Sequence, residues 1–322
     1  MSDAPPAAGS VPGDEVVHDF APLLVVYRSG RLERPIPMPL AAPGRDAATG
    51  VASRDVPLSD HTFARLYLPP AATAGGSGRK LPVLVYFHGG GFVIGSAASA
   101  AYHRCLNDLA AACPAVAVSV DYRLAPEHPV PAAYEDALAA LAWARSAADP
   151  WLAAHGDMAR VFLAGDSAGG NICHHLAMHP DVRAKGRLAG IVLIHPWFWG
   201  KEPIDGEPRG SRPAEQKGLW EFVCPGAVDG VDDPRLNPTA PGAPGLERLA
   251  CGKVMVCVAE GDALRWRGRA YAEAAARARG PDEPAVELVE SEGVGHVFYL
   301  FEPAAEKAKE LLGRIAAFVG VE

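Results

Sequence analysis

Arg160-Val-Phe-Leu-Ala164, then Gly165-Asp166-Ser167-Ala168-Gly169, then Gly170-Asn171-Ile172-Cys173-His174-His175-Leu176 read in that order as an apolar strand, a five-residue turn and the start of a helix. That context turns a bare G-x-S-x-G into the pattern of a nucleophile elbow. The turn is too tight for side chains at its flanking positions, which glycines occupy. Ser167 between them is expected to stand exposed at the C-terminal edge of a sheet, open to a general base.

Working outward, the apolar runs 82–87, 115–120, 161–164, 191–194 and 254–258 read as strands buried on both faces, with 286–289 a shorter candidate. Helical stretches lie between them, near 98–112, 132–148, 168–179, 266–279 and 303–319. Such alternation predicts an α/β protein with a mostly parallel central sheet flanked by helices, and 81–322 reads as one unit without internal repeats. Upstream, 14–20 is expected to form a short helix with Val16, Val17 and Phe20 on one side. A hairpin is expected around Ser29-Gly30, a strand pair at 51–57 and 63–68, and a flexible connection over 71–80. Residues 201–250, rich in Pro and Gly, form a long irregular insertion with a little helix near 215–222. Such insertions are commonly functional lids. The reading is therefore a disordered tail over 1–13 and a single domain over 14–322, capped by elements from about 14–40 and 199–240.

With 322 residues, 49% hydrophobic and 21% charged, the composition is that of a well-cored globular protein. The formal charge of −8 and the lack of any Lys/Arg cluster argue against nucleic acid or an anionic membrane as partner. No apolar stretch approaches the length of a membrane span. Residues 1–13 lack the basic-then-apolar order of a signal peptide. The six cysteines show no C-x-x-C spacing and several sit in apolar runs, so a reducing, cytoplasmic setting is expected.

A serine nucleophile needs a base, a group to orient that base and donors for the oxyanion. Asp262 follows the run 254–258 after Ala259-Glu260-Gly261, and His296 lies in Gly293-Val-Gly-His-Val297 beyond the last strand candidate. Both loops would reach the edge that carries Ser167. Glu260, two residues earlier, is a rival to Asp262, which is the favoured candidate. His88-Gly89-Gly90-Gly91-Phe92 follows the strand 82–87, so its amides, with that of Ala168, are candidate oxyanion donors. His175 and His179 stand at i, i+4, but Leu176 occupies the place of the Glu in H-E-x-x-H, so no metal site is expected there. His195, before Pro196, reads as structural.

On these residues the chain resembles the plant carboxylesterases of the hormone-sensitive-lipase-like branch of the α/β-hydrolases. The matching motifs are His88-Gly-Gly-Gly91-Phe92, Asp121-Tyr-Arg-Leu-Ala-Pro-Glu-His128-Pro129, Gly165-Asp-Ser-Ala-Gly-Gly-Asn171 and Gly295-His-Val-Phe298, with His195-Pro-Trp-Phe-Trp-Gly200 similar to the plant group. The resemblance spans nearly the whole chain. It implies Ser167 as nucleophile, His296 as base and Asp262 as its orienter, with Gly89, Gly90, Gly91 and Ala168 around the oxyanion. It implies that His88 shapes the glycine loop, that Asp121, Arg123 and Glu127 support the site, and that Trp197, Phe198 and Trp220 line the substrate pocket.

The expected function is a serine carboxylesterase acting on small-molecule esters through an acyl-enzyme, with no cofactor or metal required. Two alternatives come from the same resemblance. One is a lyase similar to hydroxyisoflavanone dehydratases or lactone-forming enzymes. The other is a hormone-binding protein similar to gibberellin receptors, which lack the histidine found here at 296. The natural ester and the oligomeric state are left open.

Overall fold

The computed structural model describes residues 14–72, 80–207, 218–280 and 283–320. The tail 1–13 and most of the connection 73–79 lie outside the described residues, as does the segment 208–217 of the insertion.

The chain opens with a small antiparallel sheet of β1 (Val16–Phe20), β2 (Leu24–Tyr27) and β3 (Leu32–Glu33). The helix expected over 14–20 is instead β1. Val16 and Val17 are β-branched and exposed, so a helix there would have little apolar face to bury, whereas β2 offers a backbone edge to pair with. His18 and Phe20 pack on Phe222 of the insertion, at ring-centroid distances of 4.8 and 5.0 Å, which brings the small sheet over the main body.

The main body follows as β4 (Ala52–Pro57), β5 (Phe63–Leu68), β6 (Leu81–Phe87), α1 (Ala100–Ala112), β7 (Val116–Asp121), α2 (Ala132–Arg145), α3 (Pro150–His155) and β8 (Gly156–Asp166). It continues through α4 (Ala168–Met178), α5 (Pro180–Ala184), β9 (Leu188–Ile194), α6 (Leu219–Val223), β10 (Cys251–Ala259), α7 (Arg265–Ala278), β11 (Val286–Ser291), α8 (Phe298–Phe301) and α9 (Glu306–Gly320). Among the described residues the central sheet has eight strands in the order β11-β10-β9-β8-β6-β7-β5-β4. Only β5 runs antiparallel to its neighbours β4 and β7; the rest are parallel.

Alternate residues of each central strand feed opposite cores. Val83, Val85 and Phe87 of β6 join Val161 and Leu163 of β8 under α2 and α4. Leu84, Tyr86, Phe162 and Ala164 face α1 and α9. Burial on both faces explains why these strands read as unbroken apolar runs. Because β6, β8, β9, β10 and β11 are parallel, the segments after Phe87, Asp166, Ile194, Ala259 and Ser291 all emerge at one edge. Ligands bind outside the carboxyl ends of strands in such sheets.

Candidate active site

Ser167 joins β8 to α4 with φ +52° and ψ −116°, in a left-handed region that disfavours a side chain. Its amide donates to Ile194 O at 2.9 Å and its carbonyl accepts from the Trp197 amide at 2.9 Å, which holds the strained turn. The flanking glycines are required by close approach: a Cβ at Gly169 would overlap the Phe87 carbonyl, and one at Gly165 would meet the Gly169 backbone. Among the described residues the non-glycine positions with positive φ are Phe92, Ala147, Ser167, His195 and Val297, and all but Ala147 sit at this edge. Backbone strain of this kind clusters at active sites and ligand clamps in proteins generally.

Asp262 Oδ2 accepts from His296 Nδ1 at 2.7 Å, and Oδ1 accepts the Leu264 amide at 2.9 Å. Asp262 is buried, while the His296 side chain keeps 36% of its surface exposed at the cavity. Burial raises the Asp262 carboxyl, but the bond and charge of His296 outweigh it and hold the group below its ordinary range. For His296, desolvation pulls down while the Asp262 bond and charge push up, and the net is a ring above its ordinary value. Glu260, the first residue past β10, accepts the Gly293 amide at 2.9 Å, so the Asp262 carboxylate is the one that meets His296.

Ser167, Asp262 and His296 share one cavity of about 470 Å³ with Gly89, Gly90 and Gly91. Gly90 has φ +111°, and a Cβ there would run into the Ile94 carbonyl. The amides of Gly90 and Gly91 have no acceptor among the described residues. That of Ala168, the first residue of α4, has no preceding helical turn to bond. Gly89 differs from the expectation: its amide donates to the Tyr102 hydroxyl at 2.8 Å, so it is committed away from an oxyanion. Tyr102 was missed because nothing local in α1 marks it. His88 stacks on Tyr122 at 4.3 Å, its Nδ1 lies 2.8 Å from Gly89 O, and the Tyr122 hydroxyl donates to its carbonyl at 2.6 Å. Asp121 accepts from the Ser96 hydroxyl and the Ala97 amide, Arg123 forks onto Asp136, and Arg34 pairs with Glu127. All four brace the loops around the site.

Of the three aromatic residues expected to line the pocket, only Trp197 does so. Phe198 is buried against Tyr271, with ring centroids 4.8 Å apart, and Trp220 is fully buried edge-on to Trp197 at 6.0 Å. Both are core, because the chain after β9 turns inward. The walls come instead from aliphatic residues scattered along the chain, among them Leu23, Met38, Ile94, Leu219 and Leu264, with exposed Phe301 at the rim. A neighbouring groove of about 580 Å³, around Arg34, His61, Asp121 and Glu127, contains none of the residues expected to react, to hold the oxyanion or to line the substrate pocket.

His195, Asp262 and His296 place donor atoms within 4.8 Å of one another, the one such triple among the described residues. His296 Nδ1 is bonded to Asp262, and His195 Nδ1 accepts the Val297 amide, so all three residues are already engaged. His175 stacks on Tyr134 at 3.9 Å, and His179 caps α5 by accepting the Asp181 amide; both are structural. All six cysteines are buried free thiols, and no described helix is long and apolar enough to cross a membrane.

A model of the family described as alpha/beta hydrolase fold matches residues 84–300. The chain is 42% identical over 323 residues to probable carboxylesterase 13 of Arabidopsis thaliana, covering 95% of this chain and 98% of that one. It is 41% identical to 2-hydroxyisoflavanone dehydratase of Glycyrrhiza echinata, covering 95% and 96%. Among solved structures, an esterase of Pyrobaculum calidifontis superposes with a TM-score of 0.67 at 32% identity, over 84% of each chain.

Proposed function

We propose, for a chain that belongs to the α/β-hydrolase family and is a carboxylic ester hydrolase, that Ser167, His296 and Asp262 form its catalytic triad and that Gly90, Gly91 and Ala168 supply its oxyanion hole. The observation that carries this reading is the 2.7 Å Asp262–His296 bond opening onto the cavity that holds Ser167. In this scheme neutral His296 takes the proton of the Ser167 hydroxyl as Oγ attacks the ester carbonyl. The glycine-loop and Ala168 amides stabilise the oxyanion of the tetrahedral intermediate. Collapse breaks the bond to the alcohol, which leaves with the proton from His296. Water, deprotonated by the same ring, then releases the acid and restores Ser167.

The proposed substrates are small, neutral, largely apolar esters. The walls are aliphatic, and no Lys or Arg lines the cavity among the described residues, so an anionic acyl group would find no counter-ion. The buried thiols suit action in a reducing compartment, the cytoplasm in this proposal.

Replacing Ser167 by Ala tests the reading on a panel of p-nitrophenyl esters of increasing acyl length. Loss of about 10⁴-fold or more in kcat is expected, and undiminished hydrolysis overturns it. A second reading is a lyase, which would use the same base for elimination. The 41% identity to a dehydratase nearly equals the 42% to a carboxylesterase, so identity does not separate them. Product identification by mass spectrometry does.

A further inference from the structure

His195 follows β9 at the same edge as the site, with φ +46° and a ring only 1% exposed. Its backbone amide donates to Cys257 O at 2.8 Å, which fixes the residue between β9 and β10. Its Nδ1 accepts the Val297 amide at 2.9 Å. Val297 is the neighbour of His296 and is itself held at φ +46°. The segment that carries His296 contains Gly293 and Gly295 and no regular structure. Two side chains bracket it: Glu260 holds the Gly293 amide before His296, and His195 holds the Val297 amide after it.

An Nδ1 that accepts carries no proton, so the neutral ring must be the Nε2–H tautomer. Protonating Nδ1 would set two N–H groups against each other. The titratable groups facing the ring are Asp262, His296 and Tyr299, the last two with ring centroids at 5.8 and 6.3 Å. Burial, and then the neighbouring His296, push His195 down to about 3, so the acceptor persists through the neutral range.

We propose that His195 is a positioning residue for His296: its Nδ1, a permanent acceptor, anchors the Val297 amide and thereby fixes the adjacent imidazole between Asp262 and Ser167. This rests on the reading of His296 as the general base. Misplacing a catalytic group by about 1 Å costs on the order of 10²-fold in rate.

The test compares His195→Asn, whose Oδ1 can stand where Nδ1 stands, with His195→Gln, whose acceptor reaches the Nε2 position, and His195→Leu, which has none. Readouts are kcat and KM on a p-nitrophenyl ester, the rate of labelling by a fluorophosphonate, and the pH profile of kcat/KM. Asn is expected within about threefold of the parent, while Gln and Leu lose about 30- to 100-fold in kcat and labelling rate with KM little changed. Their acid limb should move to lower pH, because a loosened His296 loses part of the Asp262 bond that raises it. Parent-like kcat in Gln and Leu, or a loss in Asn as large as in Gln, overturns the inference; should Leu fail to fold, the Asn–Gln pair decides. Ser167→Ala run alongside separates the two claims. If it stays active, the site assignment falls and this inference with it; if it is inactive while the His195 series is flat, only this inference falls.

Discussion

The Tyr102 hydroxyl donates to Asp166 Oδ2 at 2.9 Å while accepting the Gly89 amide at 2.8 Å, so one phenol ties the residue before Ser167 to the glycine loop after β6. Tyr102→Phe removes both bonds at once. It leaves a buried amide and a carboxylate oxygen short of partners, at a cost of about 1–3 kcal/mol. The melting temperature should fall and kcat should drop with KM nearly unchanged, as thermal denaturation and steady-state kinetics will show.

Asp166 itself carries a pH signature. Burial pushes its carboxyl up to about 6, against the opposing bonds from Tyr86 and Tyr102. Between the ordinary value of 3.8 and that raised value, the native state holds a proton that the unfolded chain has released. Its contribution is therefore fully present below that window and lost as pH rises through it, by about 3 kcal/mol in all. Urea denaturation from pH 4 to 7 should show this fall in the parent and a flatter course in Asp166→Asn. Parallel curves would refute it.

The Asp262–His296 pair predicts the acid limb of activity. As the proposed general base His296 must be neutral, and it sits above its ordinary 6.5 despite desolvation, because the Asp262 bond and charge prevail. Activity should fall as pH drops through that raised value. In Asp262→Asn the limb should move to lower pH and kcat should fall by about 10²- to 10⁴-fold. A profile with an unmoved limb would contradict the pairing.

Arg267 and Glu207 form a salt bridge at 2.6 Å with side chains only 3% and 4% exposed, and Arg267 also donates to Glu202 O. This pair fastens the start of the insertion to α7. Glu207→Gln leaves a buried guanidinium without its counter-ion and should cost about 3–5 kcal/mol. The double change Glu207→Leu with Arg267→Met should recover much of that loss, since neither charge then remains to be desolvated. Chemical denaturation of the three variants checks the ordering.

The elbow was legible because its constraints are local: Gly165 and Gly169 are forced by backbone atoms a few ångströms away. The strands were legible because burial on both faces writes itself as unbroken apolar runs, and the edge they share brought Asp262 and His296 into view. What escaped depended on distant partners. Val16 and Val17 join a strand because β2 lies alongside, and Phe198 and Trp220 are core because of Tyr271 and Trp197. The commitment of the Gly89 amide is set by a tyrosine 13 positions away, whose spacing carries no signal.

The cavity takes its walls from Pro22 and Leu23 near one end of the sequence and from Leu300 and Phe301 near the other. On the ribosome, the segment bearing Ser167 emerges more than a hundred residues before His296. A nascent chain can thus display its elbow without the ring proposed to activate it. In the proposed triad, base and nucleophile therefore come together only once the last wall of the pocket has been made.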